Sequence, residues 1–172
     1  IDCAEEALQV QLETRARLDS ILEEGIETED PVRRQVVAEV QLARRLRNMG
    51  GNDRSVDGSL ITHAEYQLFL NEKRSHQPDH WLDFHFPRGQ GKLPVVGVRL
   101  SDAAAFCEWL TERNTNAGNN WRYRLPLSGE PETREQFEVG YWTGNKQQMI
   151  LIPPGNRRPA ITPDQLNQRR EK

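Results

Sequence analysis

Three histidines lie close together near the middle of the chain, His76, His80 and His85, with Asp79 and Asp83 among them. Imidazole and carboxylate groups are the ligands that zinc and related ions favour. Two histidines four residues apart can share a helical face, but Pro78 stands between His76 and His80, and proline is comfortable only in the first helical turn. A helix beginning there leaves His76 outside and puts His80 on a face with Phe84. The expectation is a polar loop, with Trp81, Phe84 and Phe86 packed down onto the domain. No metal and no cofactor are expected, and His76, His80 and His85 are the candidate ligands against that reading. The two cysteines, Cys3 and Cys107, do not make a disulfide framework. Cys107 falls in the apolar run 103–110, where a free thiol is ordinarily buried. No Ser-His-Asp or Cys-His arrangement can be argued from spacing. Gly89-Gln90-Gly91-Lys92 lacks the rest of a phosphate-cradling loop. Glu130, Glu132 and Glu135 read as a solvated acidic patch.

The elements that must position these groups are legible from periodicity. Residues 2–24 read as a helix with Ala4, Ala7, Leu8, Leu12, Leu18, Ile21 and Leu22 at three- and four-residue steps, and with Gly25 as its stop. A second helix starts at Asp30-Pro31, a cap followed by a residue suited to the first turn. Its stripe is Val32, Val36, Val40, Ala43 and Leu46. Arg44, Arg45 and Arg47 crowd its end, where the helix dipole favours cations, and Gly50-Gly51 closes it. The short connection makes the two helices an antiparallel hairpin that must lean on something else to bury both stripes. Residues 52–59 form a polar linker. A third helix follows, with Thr62 as cap, Glu65 completing a capping box, and Tyr66, Phe69 and Leu70 inside. Residues 93–100 read as a strand. Ser101 caps a fourth helix over 102–112, with Ala103, Phe106, Cys107 and Leu110 inside and Trp109 alongside. Residues 121–127, 138–143 and 149–152 are further strand candidates, and the proline-rich 153–172 is an extended arm.

Composition narrows the function. Of 172 residues 35 % are hydrophobic and 28 % charged, so the core must be small. A net charge of −3 offers no footprint for nucleic acid. No apolar run nears the roughly 18 residues of a bilayer span, so no membrane partner is expected. The sparse cysteines suit a reducing, cytoplasmic compartment. The chain opens on Ile1 and closes on a charged run, and is read as a piece of a longer polypeptide.

Three segments resemble one family. Leu60-Ile61-Thr62-His63-Ala64-Glu65-Tyr66-Gln67-Leu68-Phe69 is similar to a "V-T-N-x-x-Y-x-x-F" helix. The run from Leu93-Pro94-Val95-Val96 through Ser101-Asp102-Ala103 to Phe106-Cys107-Glu108-Trp109-Leu110 is similar to an "hP-V-x-x-V-s-W-x-D-A-x-a-y-c-x-W-l" block. Tyr123-Arg124-Leu125-Pro126-Leu127-Ser128-Gly129-Glu130 is similar to "y-R-L-P-t-e-a-E-W-E". In this order and spacing they resemble the formylglycine-generating-enzyme, or sulfatase-modifying-factor, domain. The resemblance implies a C-type-lectin-like fold, with Asp102, Trp109 and Arg124 as scaffold. It also implies a pair of catalytic cysteines near the C-terminal end of the domain, which bind copper and oxidise a substrate cysteine. No cysteine follows Cys107 here. The "G-N-V-W-E-W" and "R-G-G-S-W" elements are missing, and Glu130-Pro131-Glu132 stands where the family has Glu-Trp-Glu.

The expected fold is therefore α+β: a helical hairpin over 1–51, a reduced lectin-like domain over 59–152, and an arm over 153–172. The expected function is a non-catalytic recognition module that binds a protein or another part of its parent chain. Domains of this resemblance occur beside NTPase, protease-like or signalling modules in bacteria, including defence proteins. In this fold late loops contact ligands, which points to Trp121, Arg122, Tyr141, Trp142, Thr143 and Asn145; aromatic and Arg side chains are typical interface anchors. The rivals are an enzyme of altered metal-dependent or oxidising chemistry, marked by His76, His80 and His85 or a reactive Cys107, and a retroelement-diversified display protein.

Overall fold

The computed structural model describes residues 2–49, 57, 59–127, 130, 139–144, 148–152 and 162–163. Four helices and a two-stranded sheet follow in order: α1 (Asp2–Ile26), α2 (Pro31–Met49), α3 (His63–Lys73), α4 (Leu100–Asn116), β1 (Tyr141–Gly144) and β2 (Met149–Ile152). The arrangement is α+β. The strands pair antiparallel, with Tyr141 opposite Ile152 and Gly144 opposite Met149. Apart from 162–163, the expected C-terminal arm lies outside the described residues.

Helix α3 is the centre of the packing. Every residue from His63 to Leu70 is buried, as expected of a helix surrounded by other elements. Its N-terminus carries the expected capping box. The Glu65 N–H donates to Thr62 Oγ1 at 3.3 Å, and the Thr62 N–H donates to Glu65 Oε2 at 2.8 Å. The remaining orphan donors of the first turn are met by a neighbouring loop. His63 N–H donates to Leu93 O and Ala64 N–H to Gly91 O, each at 3.0 Å. Against α3 lie Phe106, Trp109 and Leu110 of α4. The Phe69 and Phe106 rings meet edge-on at 5.7 Å, and the Phe106 and Trp109 rings lie 5.3 Å apart.

The hairpin docks through α2, but on a different face from the expected one. Val37, Ala38 and Leu42 are buried, with Leu46 packed beside them. Val32, Val36 and Val40 point outward, and so do Leu12, Leu18 and Ile21 of α1. Both helices carry apolar side chains on more than one face, so periodicity alone admitted two phases, and contact with α3 selects the one that includes Ala38 and Leu42. Asp30 caps α2 as expected, accepting from the Val32 N–H at 2.9 Å. Gly25 does not stop α1. It lies inside the last turn at the crossing of the two helices, where an added Cβ would sit 2.6 Å from Val37 Cγ2, so its small size allows the close approach.

Two expected strands are absent. Residues 93–98 run as loop because their backbone groups bond to the start of α3 instead of to a sheet, with Val95 N–H donating to Ile61 O at 2.9 Å. Pro94 has no N–H to give. Gly97 turns the chain with φ +72°, a conformation that favours glycine. Residues 121–126 are held to α4 by side chains: Asn114 Nδ2 donates to Trp121 O, and Tyr123 N–H donates to Thr111 Oγ1. Each run keeps one isolated bridge, Pro94 to Thr62 and Leu127 to Gly144. Ser101 is not the cap of α4 either. The helix starts two residues earlier, at Leu100, with Arg99 at the cap position and no side-chain cap bond.

Ion pairs tie the three packed helices together. Arg113 of α4 spans Glu39 of α2 at 2.6 Å and Glu72 of α3 at 2.6 Å, while its guanidinium lies over the Trp109 ring. The Trp109 indole N–H donates to Glu72 at 2.7 Å. Arg45 of α2 forks onto the buried Glu65 carboxylate at 2.7 and 3.0 Å. A chain beginning at Ser59 strands that carboxylate, which alone costs about 3–5 kcal/mol. It should aggregate or melt far below the full chain, and an unchanged melting temperature would show the hairpin to be a dangling linker. Leu42→Asp should destabilise by several kcal/mol, whereas Val40→Asp should leave the stability of the protomer within about 0.5 kcal/mol; urea titration of both checks the corrected face.

His63 occupies the family's Asn position and is buried against Trp81, with ring centroids 5.4 Å apart. His63 Nδ1 and Trp81 Nε1 are buried without a hydrogen-bond partner among the described residues. Burial, reinforced by nearby His80, pushes the His63 pKa down to about 4. The charged form is thus disfavoured in the native state. Its contribution to stability is complete above pH 6.5, the unfolded value, and is lost as pH falls through about 4. The span corresponds to roughly 3 kcal/mol. Denaturation midpoints measured between those limits should fall with pH in the parent and much less in His63→Asn; equal slopes would exclude His63 as the source.

Candidate functional site

The late segments converge on one groove of about 770 Å³. Its floor is formed by α4, with Ala103, Phe106, Cys107 and Leu110, and by Tyr66 of α3. One wall is the extended run 121–127, and the other is Val139–Trp142. The Arg45 cluster closes one end. Its guanidinium, besides holding Glu65, donates to Asp57 Oδ2, to Ser59 Oγ at 2.6 Å and to Leu60 O at 3.2 Å. Burial opposes the Arg45 charge, but Glu65 and Asp57 outweigh it and raise its pKa above the ordinary value. Burial also opposes the Asp57 charge; the Ser59 N–H and Arg45 overcome it and lower its pKa.

The walls are braced by side chains that periodicity could not pair. Arg124 forks onto Glu130 at 2.9 and 2.6 Å, and Glu130 accepts the Leu127 N–H at 2.7 Å. This ion pair raises the Arg124 pKa. It fits the scaffold role that the family resemblance implies for Arg124, and it takes Glu130 out of the solvated patch. Thr143 Oγ1 donates to Pro126 O at 3.1 Å and joins the two walls.

Of the expected contact residues, Trp121, Arg122, Tyr141 and Trp142 all line the groove. They differ in what they offer. Trp121 is 40 % exposed and Arg122 is exposed, which suits an anchor. Tyr141 is half-buried at the start of β1. Trp142 is only 9 % exposed, and its indole N–H donates to Val98 O at 3.1 Å, so it is wall rather than anchor. Thr143 is likewise buried. Asn145 lies outside the described residues.

The histidines are not gathered. His76 lies 3.1 Å from Asp79, which also pairs with Arg99. The His80 ring is set edge-on to His63, 6.3 Å between centroids. His85 lies against Phe84 at a separate cleft between α2 and α3. Among the described residues no three His, Cys, Asp or Glu side chains are placed to hold an ion. Among those residues, too, no helix is long and apolar enough to cross a membrane.

A family model, the sulfatase-modifying factor enzyme 1-like domain, matches residues 52–149. No curated protein and no solved structure matches the chain.

Cys107 lines the groove floor, half-buried, with its pKa pushed up to about 11 by burial and by Glu108. The thiolate is the reactive form, so little of it exists at neutral pH. Alkylation of native Cys107 at pH 7.5 should be slower than in denaturant by at least about tenfold; equal rates would mean that the thiol is not held in this environment.

Proposed function

The chain belongs to the sulfatase-modifying factor enzyme 1-like family, and within that family we propose that it is a non-catalytic recognition module. A reduced C-type-lectin-like domain carries the binding surface, and a protein segment occupies the groove between 121–127 and 139–142. The observation that carries this reading is the convergence of Trp121, Arg122 and Tyr141 on one groove whose walls are braced by Arg124–Glu130 and Thr143–Pro126. Aromatic and guanidinium groups held on a rigid rim are the side chains that dominate protein interfaces. The non-catalytic half rests on the cysteines: none follows Cys107 in this sequence, and Cys107 itself is held as a thiol. The family context supports a place in a larger bacterial polypeptide of NTPase, signalling or defence type, and the sparse cysteines support a cytoplasmic one.

Two measurements test the two halves. With or without copper, mass spectrometry of a cysteine-containing sulfatase-type peptide incubated with the protein should show no formylglycine above a no-protein control; turnover would end the non-catalytic reading. Peptides selected on the full chain from a random displayed library should lose binding by about thirtyfold in Trp121→Ala. Selection that yields no binder, or binders indifferent to Trp121→Ala and Arg122→Ala, would remove the groove as the recognition surface.

A further inference from the structure

A second cleft, of about 370 Å³, opens where α2 of the hairpin meets α3 and the 84–86 segment. It shares no lining residue with the groove. The buried Gln67 side chain builds it. Gln67 Nε2 donates to Phe84 O at 3.0 Å, and its Oε1 accepts the Phe86 N–H at 3.2 Å, so one amide fixes the backbone on both sides of His85. Each of the two phenyl rings held in this way carries an arginine. The Arg34 guanidinium lies over Phe86, 5.9 Å from the ring centroid, and the Arg74 guanidinium lies over Phe84, 6.0 Å away. A guanidinium on an aromatic face keeps N–H donors to spare.

No counter-charge meets these cations. Among the described residues neither Arg34 nor Arg74 has an ion pair, and no carboxylate lines the cleft. The acidic residues of the two helices are engaged elsewhere, Glu39 and Glu72 on Arg113 and Glu65 on Arg45. Asp30 caps α2, and Asp83 does not line the cleft. Arg74 also ends α3 in the left-handed region, at φ 51°, where glycine or asparagine is favoured. Among the described residues no other non-glycine residue has a positive φ. A side chain kept in a disfavoured conformation at a cleft points to a function.

Charge and size identify the ligand. Two uncompensated guanidiniums match a dianion better than a single carboxylate, and their N–H forks suit phosphate oxygens. His85, exposed at the same cleft, adds an imidazole N–H donor. Buried Ala38, Ala64 and Leu68 give an apolar floor. We propose that this cleft binds a small phosphate monoester, with the phosphate held by Arg34 and Arg74 and an apolar body on that floor. Because α2 supplies one wall, the site exists only while the hairpin is docked on the family domain.

Isothermal titration of the full chain with phenyl phosphate at low ionic strength should show one site with a Kd of about 1 mM or below. Benzoate, with a single charge, should bind at least about tenfold more weakly. Arg34→Gln and Arg74→Gln should each weaken phenyl phosphate binding by at least about tenfold. Arg74→Gly relaxes the left-handed turn, so it should lose binding as much while melting no lower than the parent, which separates binding from folding. Arg33→Gln makes the same charge change at an exposed position outside the cleft and should shift the affinity by less than about twofold. Absence of saturable binding overturns the proposal, and so does equal affinity for benzoate. A loss in Arg33→Gln as large as in Arg34→Gln also overturns it, since that marks diffuse attraction by surface charge. None of these outcomes bears on the groove, whose peptide binding is read separately.

Discussion

The carboxylate of Glu65 is buried at the start of α3, and a buried charge is tolerable only when paired and hydrogen-bonded. Arg45 supplies the pair from α2, with a two-point fork that matches the carboxylate. Glu65 in turn completes the Thr62 capping box, so the same side chain both starts the central helix and anchors the hairpin. The remaining donors of Arg45 order Asp57, Ser59 and Leu60. One guanidinium thus joins the hairpin, the linker and the first family helix, and forms one end of the groove.

From that point the packing follows outward. Helix α3, buried over eight consecutive residues, accepts α2 on one side and α4 on another, and Arg113 bridges Glu39 and Glu72 across all three. The extended run 121–127 is hung from α4 through Asn114 and Thr111, and β1 meets that run through Thr143 and the 93–98 loop through Trp142, which donates to Val98 O. The groove is the space left between these late segments and the side of α4 that carries Phe106, Cys107 and Leu110. Scaffold positions of the family are retained as scaffold: Trp109 is core and Arg124 braces a turn. Scaffolds of this kind host more than one function, which is consistent with the proposed recognition role, since no cysteine follows Cys107.

Local signals were legible and long-range ones were not. The Asp30-Pro31 start, the Thr62–Glu65 box, the buried Phe106 and Leu110 of α4 and the strand at 149–152 all rest on short-range chemistry, and the structure contains them. The phase of α2 was misread because valines at every fourth position form as regular a stripe as Ala38 and Leu42 do, and only α3 distinguishes them. The β-branched run at 95–98 looked like a strand, but its neighbour is the start of a helix, and Gly97 breaks the extension. Arg45 read as one of three basic residues favoured by the dipole at a helix end, since nothing in its local spacing points to a carboxylate 20 residues away. The groove residues Trp121 and Tyr141 came from the family resemblance, and composition could not tell which of them would be exposed.

The direct test of the Arg45–Glu65 junction is a double-mutant cycle on the full chain, with Arg45→Met, Glu65→Gln and the pair together, read by urea unfolding. A buried charge pair that carries the junction should give each single variant a large loss and the double variant much less than the sum, with a coupling energy of about 1–3 kcal/mol. Additivity within about 0.3 kcal/mol would contradict the account, since it would show that the hairpin and the family domain are held together by something other than this pair.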